Sequence, residues 1–472
     1  MVVRLAMHRF LGFLSFCICL IVPSLASAQQ PEGPAIGDPR GRDSILDWNA
    51  IALKAVADDF SNIYGTPDQK GPTHTSRALA IIHLAMFDAA NMVTPRAKPY
   101  LANHTPSNQK IVSLDAAVAQ AAADTLSALY PKQGKVFSAA LTQYLTPLKN
   151  ATARNNGIQI GHAVAHDLLL ARSQDGSTFV GNYVPTGAPG KHDVDPLNPG
   201  QGFLDPAWGN VLPFSPIQNF HYVPTVPPAL GSNAYAVASN DVKSVGGDGI
   251  TTSTKRTQEQ TEIGLFWAYD GSRGIGVPPR LYNQIARTIA IQERNTEIEN
   301  ARLFGLVNTA MADAGIMSWG IKYQCDIWRP ILGIRRANED GNISTEADPK
   351  WTPLGAPASN GGGKNFTPNF PSYSSGHATF GAALFRTLQN YYLTDHLSFT
   401  FVSDELNGVT TDTYGHVRPL KPRTFHKLSD AAAENARSRM YLGIHWQFDA
   451  DEGMKSGTAV GDHVFQSILQ PH

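Results

Sequence analysis

The sequence is poor in cysteine and has almost no net charge, and both features narrow the classes of protein that it can encode. Three of its 472 residues are cysteines, and 38 Lys and Arg residues stand against 39 Asp and Glu residues. Proteins that grip a nucleic-acid backbone usually carry a clear basic excess, so no nucleic-acid partner is expected. A hydrophobic content of 42% with 16% charged residues excludes a disordered chain. The negative mean hydropathy argues against a polytopic membrane protein, which leaves a soluble globular protein.

The amino terminus has the three parts of a secretory signal peptide. Arg4 and Arg9 precede the apolar segment Phe10–Val22, and the small residues Ala26-Ser27-Ala28 form a cleavage site. The thirteen residues of the apolar segment are too few to span a bilayer, which takes about 20. We therefore expect residues 1–28 to be a signal peptide, the protein to be exported to the bacterial periplasm or medium, and no stable membrane insertion after cleavage. An uncleaved anchor is the alternative interpretation.

Cleavage after Ala28 would change the number of cysteines. The mature chain would keep 472 − 28 = 444 residues and would lose Cys17 and Cys19 with the signal peptide. Only Cys325 would remain, so no intramolecular disulfide is possible. Export without disulfides suits a protein whose core is large enough to be stable without them.

Apolar residues recur at intervals of three and four positions through most of the chain, which predicts amphipathic helices. The predicted helices are Ser44–Tyr64, Thr75–Met92, Ser113–Leu129, Val136–Leu148, Gly157–Arg172, Lys255–Tyr269, Pro279 to about Asp326, Ala378–Tyr392, Leu428–Tyr441 and Ala450–Leu469. Strand-like alternation is scarce. The sequence therefore predicts an all-α protein with bundle-like packing.

A Gly- and Pro-rich tract divides these helices into two groups. We expect an N-terminal helical region at residues 29–174, a loop insertion at 175–254 and a C-terminal catalytic region at 255–472. So long a loop is unusual in a compact domain, and it is interpreted as an insertion wrapped on the core, a lid, or a hinge between the helical halves.

Two cations lie near the end of the longest predicted helix. Lys322 and Arg329 are seven positions apart, close to two helical turns, which would place both on one face. Pro330 disfavours helix at the residue before it and is predicted to mark the C-terminal edge of the segment. Two cations on a face flanked by Trp319 and Trp328 would need an anion. The alternative is a solvated basic stripe.

The run Ser374-Ser375-Gly376-His377 leads directly into an apolar helix. Either serine can cap that helix, whose first free amides would then serve as anion donors. His377 would lie in the same turn and could exchange a proton with a bound oxyanion near neutral pH. The alternative is an ordinary capped helix whose histidine has no function.

A third segment carries Ser438-Arg439, then His445, then Asp449. The spacing of four residues allows the Asp449 carboxylate to accept one ring N–H of His445 and to leave the other nitrogen aimed at a ligand. A simple surface pair is the alternative, because such a pair is common at this spacing on helices.

Taken together, the three segments resemble the signature of the vanadium-dependent haloperoxidases and of the type-2 phosphatidic acid phosphatase superfamily, which shares their site. The resemblance covers mainly Lys255–Leu469, and Ser374 departs from it because the family usually has proline there. The residues that carry it are Lys322, Arg329, Pro330, Ser375, Gly376, His377, Ser438, Arg439, His445 and Asp449.

The resemblance implies two packed helical bundles of the vanadium chloroperoxidase type and a site for vanadate, or for phosphate. His445 would bind the vanadium, His377 would hydrogen-bond the apical oxygen, and Asp449 would orient His445. Trp319 and Phe370 would line the halide side, although core packing would explain them as well, and Asp270 would be a partner of an anion-binding arginine. The other vanadate oxygens would be held by Lys322, Arg329, Ser375, the Gly376 amide and Arg439.

The same pocket can serve different reactions. As a haloperoxidase, the protein would use hydrogen peroxide to oxidise halide to hypohalous acid, which then halogenates small organic substrates, and Lys322 would take part in catalysis. As an acid phosphatase, it would form a phosphohistidine at His445 while His377 protonates the leaving alcohol. The sixty residues between His377 and Ser438 exceed what a compact phosphatase needs and favour the first reading. An oxyanion-binding protein without turnover is the third alternative.

Overall fold

A computed structural model describes residues 42–101, 111–216, 218 and 220–472. The signal peptide predicted for residues 1–28 lies outside the described residues. In the described part, helices dominate and one short hairpin supplies the sheet, so the predicted all-α class is confirmed.

Thirteen α-helices are present in the described part of the chain. They are α1 (Ser44–Asp59), α2 (Gly71–Val93), α3 (Leu114–Leu129), α4 (Gly134–Leu145), α5 (Ala151–Ala171), α6 (Asn233–Val245), α7 (Gln258–Phe266), α8 (Pro278–Gln292), α9 (Glu297–Cys325), α10 (Pro330–Arg335), α11 (Gly376–Tyr392), α12 (Leu428–Tyr441) and α13 (Gln447–Ser467).

The single helix predicted from Pro279 to about Asp326 is wrong, because two helices, α8 and α9, occupy that stretch. Arg294 adopts a left-handed conformation between them, with φ 58°. The side chain of Thr296 caps α9 and Glu299 reaches back to the Thr296 amide, which makes a capping box. This Thr-x-x-Glu pattern is the sequence signal that marks the start of α9.

The Gly- and Pro-rich tract is largely irregular, but it is not loop throughout. Helix α6 forms within it because Ser232 caps its first turn by accepting from the Tyr235 amide. The Tyr235 side chain is buried and its hydroxyl accepts a hydrogen bond from the Trp328 indole at 3.1 Å. The tract is thereby attached to the chain segment that carries Arg329.

An antiparallel hairpin, β1 (Phe399–Asn407) and β2 (Leu420–Phe425), was not predicted. Phe399, Phe401, Ser403 and Glu405 alternate inward along β1. The inward Ser403 and Glu405 interrupt the apolar alternation that would have identified the strand.

Helix α9 joins the two halves of the fold. It packs on α2 from the first half and on α11 and α13 from the second. One apolar cluster runs through both halves, and α9 contributes Phe304, Met311 and Trp319 to it. Across the described residues, no helix is both long enough and apolar enough to cross a membrane.

Helices α11 and α13 approach closely at two glycines of α13. A Cβ on Gly453 would lie 2.7 Å from the carbonyl oxygen of Ser375, and a Cβ on Gly457 would overlap the carbonyl oxygen of Thr379. Because backbone atoms form the contact, a larger residue must push the helices apart.

Gly457→Ala is therefore expected to lower the free energy of unfolding by about 1 to 3 kcal/mol, the usual effect of overpacking a core. The urea midpoint measures it. Gly134→Ala is the matched control, because a Cβ on this helical glycine meets no atom within 4 Å. Equal midpoints for the two variants would contradict the close packing of α11 on α13.

Candidate active site

Three segments distant in sequence bring their chemically active side chains to one buried place. Lys322 lies in the last turn of α9, His377 in the first turn of α11 and Arg439 in the last turn of α12. Arg329 follows α9, and His445 lies between α12 and α13. The exposed fractions are 0% for Lys322, 1% for Arg329, 7% for His377, 0% for Arg439 and 2% for His445.

Lys322 and Arg329 do not share a helical face, so that prediction is wrong. Helix α9 ends at Cys325 and Asp326 turns left-handed, with φ 57°. Arg329 is extended, and Pro330 begins α10 rather than ending a helix. The turn nevertheless directs both cations toward residues 370–374, the segment that precedes α11.

That segment offers its carbonyl oxygens to the two cations. Lys322 Nζ donates to the carbonyls of Pro371 and Ser372 at 3.1 Å each and to that of Ser374 at 2.5 Å. Arg329 Nε donates to the carbonyl of Phe370 at 2.9 Å. These bonds hold the loop before α11 in place and fix both cations.

The predicted link between His445 and Asp449 is present. Nδ1 of His445 lies 2.8 Å from Oδ2 of Asp449, which also accepts the Trp446 amide at 3.0 Å. Because the carboxylate accepts the Nδ1 proton, Nε2 carries the lone pair and accepts from Arg329 Nη1 at 2.9 Å. This is the tautomer that can bind a metal centre through Nε2.

Asp449→Asn is expected to weaken vanadate binding about 10- to 100-fold, because the imidazole loses the carboxylate that fixes its tautomer and orientation. Calorimetric titration with vanadate measures this. Asp451→Asn is the matched control, since Asp451 is exposed on the same helix and accepts a hydrogen bond from Gln447. Unchanged affinity in the Asp449 variant would exclude the orienting role.

His377 is fixed at both its ring and its main chain. Its Nε2 lies 2.5 Å from the carbonyl oxygen of Ala268. Its own carbonyl accepts from the Tyr282 hydroxyl and from the Asn435 amide, each at 2.9 Å. The ring therefore has Nδ1 left to meet a ligand.

The start of α11 has the predicted capping arrangement. Ser375 is the N-cap, and its side chain accepts from the Ala378 amide at 3.4 Å. Gly376 follows as the first helical residue, whose amide has no acceptor within its own helix. A Cβ on Gly376 would lie 3.3 Å from the Trp319 ring, so the backbone here is close to the site.

Arg439 is paired on one side only. Its Nη2 donates to both carboxylate oxygens of Asp270, at 2.8 and 2.9 Å. Asp270 also lies 3.9 Å from Nε2 of His377. Asp270 thus contacts an arginine of the cluster, as the sequence resemblance implied.

Several buried donors of the cluster have no hydrogen-bond partner among the residues that the structure describes. They are Nη2 of Arg329 and both Nε and Nη1 of Arg439. A buried unpaired donor is costly, and charged donors are costlier still. A tetrahedral oxyanion would supply acceptors to these donors and negative charge to three cations, so the residues fit vanadate.

The pKa directions agree with a buried site whose three cations outnumber the carboxylates of Asp270 and Asp449. Burial, and next the Arg329 charge, hold the pKa of Lys322 well below its usual value, and burial lowers the pKa of Arg329 to about 9. Burial also lowers the pKa values of His377 and His445, reinforced by Arg439 and Arg329 respectively. Both imidazoles are therefore neutral at pH 7, as metal binding requires of His445.

A cavity of about 230 Å³ opens beside the cluster, and His377, Arg439 and His445 line it. Trp319 and Phe370 lie in its wall, with ring centroids 4.8 Å apart. Lys322 Nζ is 5.0 Å from the Phe370 centroid and 5.6 Å from that of Trp319. The two aromatic residues predicted on the halide side therefore border both the cavity and a cation.

Sequence reasoning missed three groups that hold His377 in place: the Ala268 carbonyl, Tyr282 and Asn435. A carbonyl has no sequence signal. Asn435 has one, because it lies one helical turn before Arg439 on α12. Ser438, although part of the motif, turns its hydroxyl back to the Asn435 carbonyl at 2.6 Å.

Comparisons with known proteins agree with this site and fold. The family model for the N-terminal domain of vanadium chloroperoxidase matches residues 34–207, and the one for its second helical-bundle domain matches residues 302–471. Vanadium chloroperoxidase from Curvularia inaequalis is 34% identical over 502 aligned positions, covering 88% of this chain and 81% of that protein.

Solved structures with a similar fold are also vanadium-dependent enzymes. The first bacterial vanadium-dependent iodoperoxidase superposes with a TM-score of 0.73 at 22% identity, covering 90% of this chain and 97% of the other. The holo form of a bacterial vanadium-dependent chloroperoxidase gives 0.64 at 18% identity, covering 88% and 96%. At these identities, the likeness establishes a shared fold.

Proposed function

This chain belongs to the vanadium haloperoxidase family, and from that premise we propose that it oxidises halide with hydrogen peroxide, using vanadate as cofactor. The balanced reaction converts halide, hydrogen peroxide and one proton to hypohalous acid and water. One observation carries the proposal: buried Arg329 and Arg439 have unpartnered donors in the same cluster as His445, whose Nε2 carries its lone pair toward Arg329 Nη1.

The residues present can hold vanadate without rearrangement of the fold. His445 Nε2 would bind the metal, and the unpartnered donors of Arg329 and Arg439, with the Gly376 amide, would donate to its oxygens. Lys322, whose Nζ donates to three carbonyls, would exchange one of them for a vanadate oxygen. Bound vanadate would supply a Lewis-acid centre that activates hydrogen peroxide.

The chain's own side chains have further roles in this reaction. The positive charges of Lys322 and Arg329 attract a halide toward the wall formed by Trp319 and Phe370. His377, with Nε2 bonded to the Ala268 carbonyl, can hold or pass a proton at Nδ1. Asp449 keeps the lone pair of His445 at Nε2.

A comparison of vanadate-loaded and vanadate-free protein tests the proposal. Each sample is assayed for peroxide-dependent triiodide formation and for hydrolysis of an aryl phosphate. We expect triiodide only after loading. Aryl phosphate hydrolysis by the free protein, inhibited by vanadate and without triiodide formation, would instead support a phosphatase that uses His445 as nucleophile. Binding of phosphate without either reaction would support an oxyanion-binding protein.

We also propose export of the mature protein from a bacterial cell, and halide, hydrogen peroxide and small organic molecules as its reactants. The charged, apolar and small-residue parts of residues 1–28 support export. Mass spectrometry of the secreted protein should find a chain that begins at Gln29, and a chain that retains Met1 in the cell would argue against it.

A further inference from the structure

The turn at residues 326–328, which joins α9 to Arg329, lies between two irregular segments of the chain. On one side is the segment before α11, where the amide of Ser372 donates to the carbonyl of Ile327 at 2.9 Å. On the other side, residues 183–192 of the Gly- and Pro-rich tract run along the turn. The turn is therefore enclosed on both sides, although it contains no regular secondary structure of its own.

Main-chain hydrogen bonds join the tract to the turn. The His192 amide donates to the carbonyl of Asp326 at 3.2 Å. The Trp328 amide donates to the carbonyl of Gly190 at 3.0 Å. An isolated antiparallel bridge lies between these two bonds. We call this contact of residues 183–192 with the turn the clamp, and it fixes the backbone immediately before Arg329.

Tyr183 contacts both α9 and the turn that follows it. Its ring packs edge-on against the ring of Tyr323, the neighbour of Lys322, with centroids 5.4 Å apart. Its hydroxyl lies 2.5 Å from Oδ1 of Asp326 and 2.9 Å from the carbonyl oxygen of His192. Burial, and next the bond to Asp326, raise the pKa of this hydroxyl above its usual value, so it remains a donor at neutral pH. Donation to a carboxylate is charge-assisted and is stronger than donation to a carbonyl.

Asp326 has the left-handed backbone conformation that ends α9, with φ 57°. This conformation is unfavourable for most residues other than glycine, although aspartate tolerates it better than most. Its carboxylate also lies 3.8 Å from Nζ of Lys191, whose side chain is 43% exposed, and so exposed an ion pair contributes little. The bond from Tyr183 is therefore the stronger side-chain contact of the turn.

We propose that Tyr183 and Asp326 are positioning residues: through the clamp, they hold the two cations on either side of the turn in the arrangement that binds the anion. The inference rests on the proposed function, in which that anion is vanadate. The clamp lies within electrostatic reach of both cations, because burial, and next the charges of Arg329 and Lys322, hold the pKa of His192 well below its usual value.

The position of the turn matters because one donor depends on it directly. Nη2 of Arg329 has no hydrogen-bond partner within the described part of the chain, and it must lie within hydrogen-bond distance of the anion to donate to it. A displacement of about 1 Å would take a bond of ordinary length out of that range. Contacts that orient the groups around a bound metal typically change its affinity by about 10- to 100-fold.

Substitutions of Asp326 test the clamp by calorimetric titration with vanadate and, separately, with inorganic phosphate. Asp326→Gly removes the carboxylate but keeps the turn, since glycine adopts the left-handed conformation readily. It should weaken binding of both anions at least about tenfold. Removal of a negative charge would by itself strengthen anion binding, so weaker binding reports the lost positioning.

Asp326→Asn and Arg294→Gly complete this series. Asparagine tolerates the left-handed conformation and keeps an acceptor for the Tyr183 hydroxyl, so Asp326→Asn should recover most of the wild-type affinity. Arg294→Gly is the matched control for the backbone change, because Arg294 is exposed just before α9 and also has a left-handed conformation, with φ 58°. It should bind both anions as the wild type does.

Tyr183→Phe tests the other side of the same bond and gives a second measurement if Asp326→Gly fails to fold. It should also weaken binding of both anions. The double variant should lose no more than Asp326→Gly alone, because the two side chains act through one contact. Tyr144→Phe is the matched control, since the Tyr144 hydroxyl also donates to a carboxylate, that of Asp47 at 3.1 Å, but on α4. It should leave both affinities unchanged.

The outcomes separate this inference from the proposed function. Lower melting temperatures with unchanged affinity for both anions would show that the clamp only stabilises the fold and would overturn the inference. Additive losses in the double variant would also overturn it. Vanadate-loaded wild-type protein that forms no triiodide would overturn the proposed function, while the phosphate titrations would still decide whether the clamp acts on the anion site. Wild-type protein that binds neither anion would overturn both.

Discussion

Replacing His445 with alanine is expected to reduce vanadate-dependent iodide oxidation at least about a thousand-fold, which corresponds to about 4 kcal/mol of transition-state stabilisation. The imidazole is buried and held through Nδ1 by Asp449, and its Nε2, which accepts from Arg329 Nη1, is the nitrogen that would bind vanadium. Its loss would remove the bond that fixes the cofactor and leave only electrostatic contacts to hold it.

The matched control is His162→Ala. His162 also has Nδ1 bonded to a carboxylate, that of Asp124 at 2.5 Å, but its side chain is 58% exposed on α5. It should keep the wild-type rate. If the His445 variant retained more than a tenth of the rate after vanadate loading, His445 would not be the vanadium ligand.

Arg439→Ala is expected to affect stability and activity together. Removing the guanidinium leaves the buried carboxylate of Asp270 without its bidentate partner, and breaking a buried pair in this way costs about 3 to 5 kcal/mol. Loss of one preorganised donor to the anion is expected to reduce iodide oxidation by about 100- to 1,000-fold. Thermal melting and the triiodide assay measure the two effects.

The stability loss in this variant should depend on pH. Burial raises the pKa of Asp270 and Arg439 opposes that rise, so the carboxyl in the folded variant takes up a proton more readily than in the wild type. A protonated Asp270 carries no unpaired charge. The deficit relative to wild type should therefore shrink as the pH falls from 8 to 5, because the penalty belongs to the ionised form.

Two further variants test whether the effects of Arg439→Ala come from the buried ion pair with Asp270. Arg437→Ala, two positions away, breaks an ion pair with Asp241 whose side chains are each 31% exposed, so it should cost no more than about 1 kcal/mol. Adding Asp270→Asn to Arg439→Ala should restore part of the lost stability without restoring activity. A deficit that is independent of pH and unaffected by Asp270→Asn would contradict the buried ion pair.

The chemistry of the site could be predicted from the sequence because it depends on local patterns. The pairing of His445 with Asp449 follows from a spacing of four residues, and the cap at Ser375 follows from a hydroxyl before an apolar helix. Such relations join residues that are close in sequence, so they can be recognised without knowledge of the fold.

The geometry that depends on tertiary structure could not be predicted. Lys322 and Arg329 were expected on one helical face, but the left-handed turn at Asp326 breaks the helix between them and the carbonyls before α11 bring them together. The carbonyl of Ala268, which fixes the His377 ring, comes from a loop 109 positions away. Backbone groups of distant segments have no side-chain pattern that marks them.

The failure to predict the hairpin and α6 has a different cause. In β1 the inward positions include Ser403, which donates to the Phe266 carbonyl, and Glu405, whose Oε2 accepts from Ser359 and Arg418. Polar residues at inward positions conceal a strand when only apolar alternation is sought. Helix α6 was not predicted because it lies within a tract whose Gly and Pro content indicates loop on both sides of it.

The most direct test of the site is a crystal structure of the protein soaked in vanadate, with anomalous diffraction used to locate vanadium. We predict one vanadium peak bonded to Nε2 of His445, with vanadate oxygens in contact with Lys322, Arg329 and Arg439. A peak at another place, or no peak at a vanadate concentration that supports iodide oxidation, would contradict the assignment.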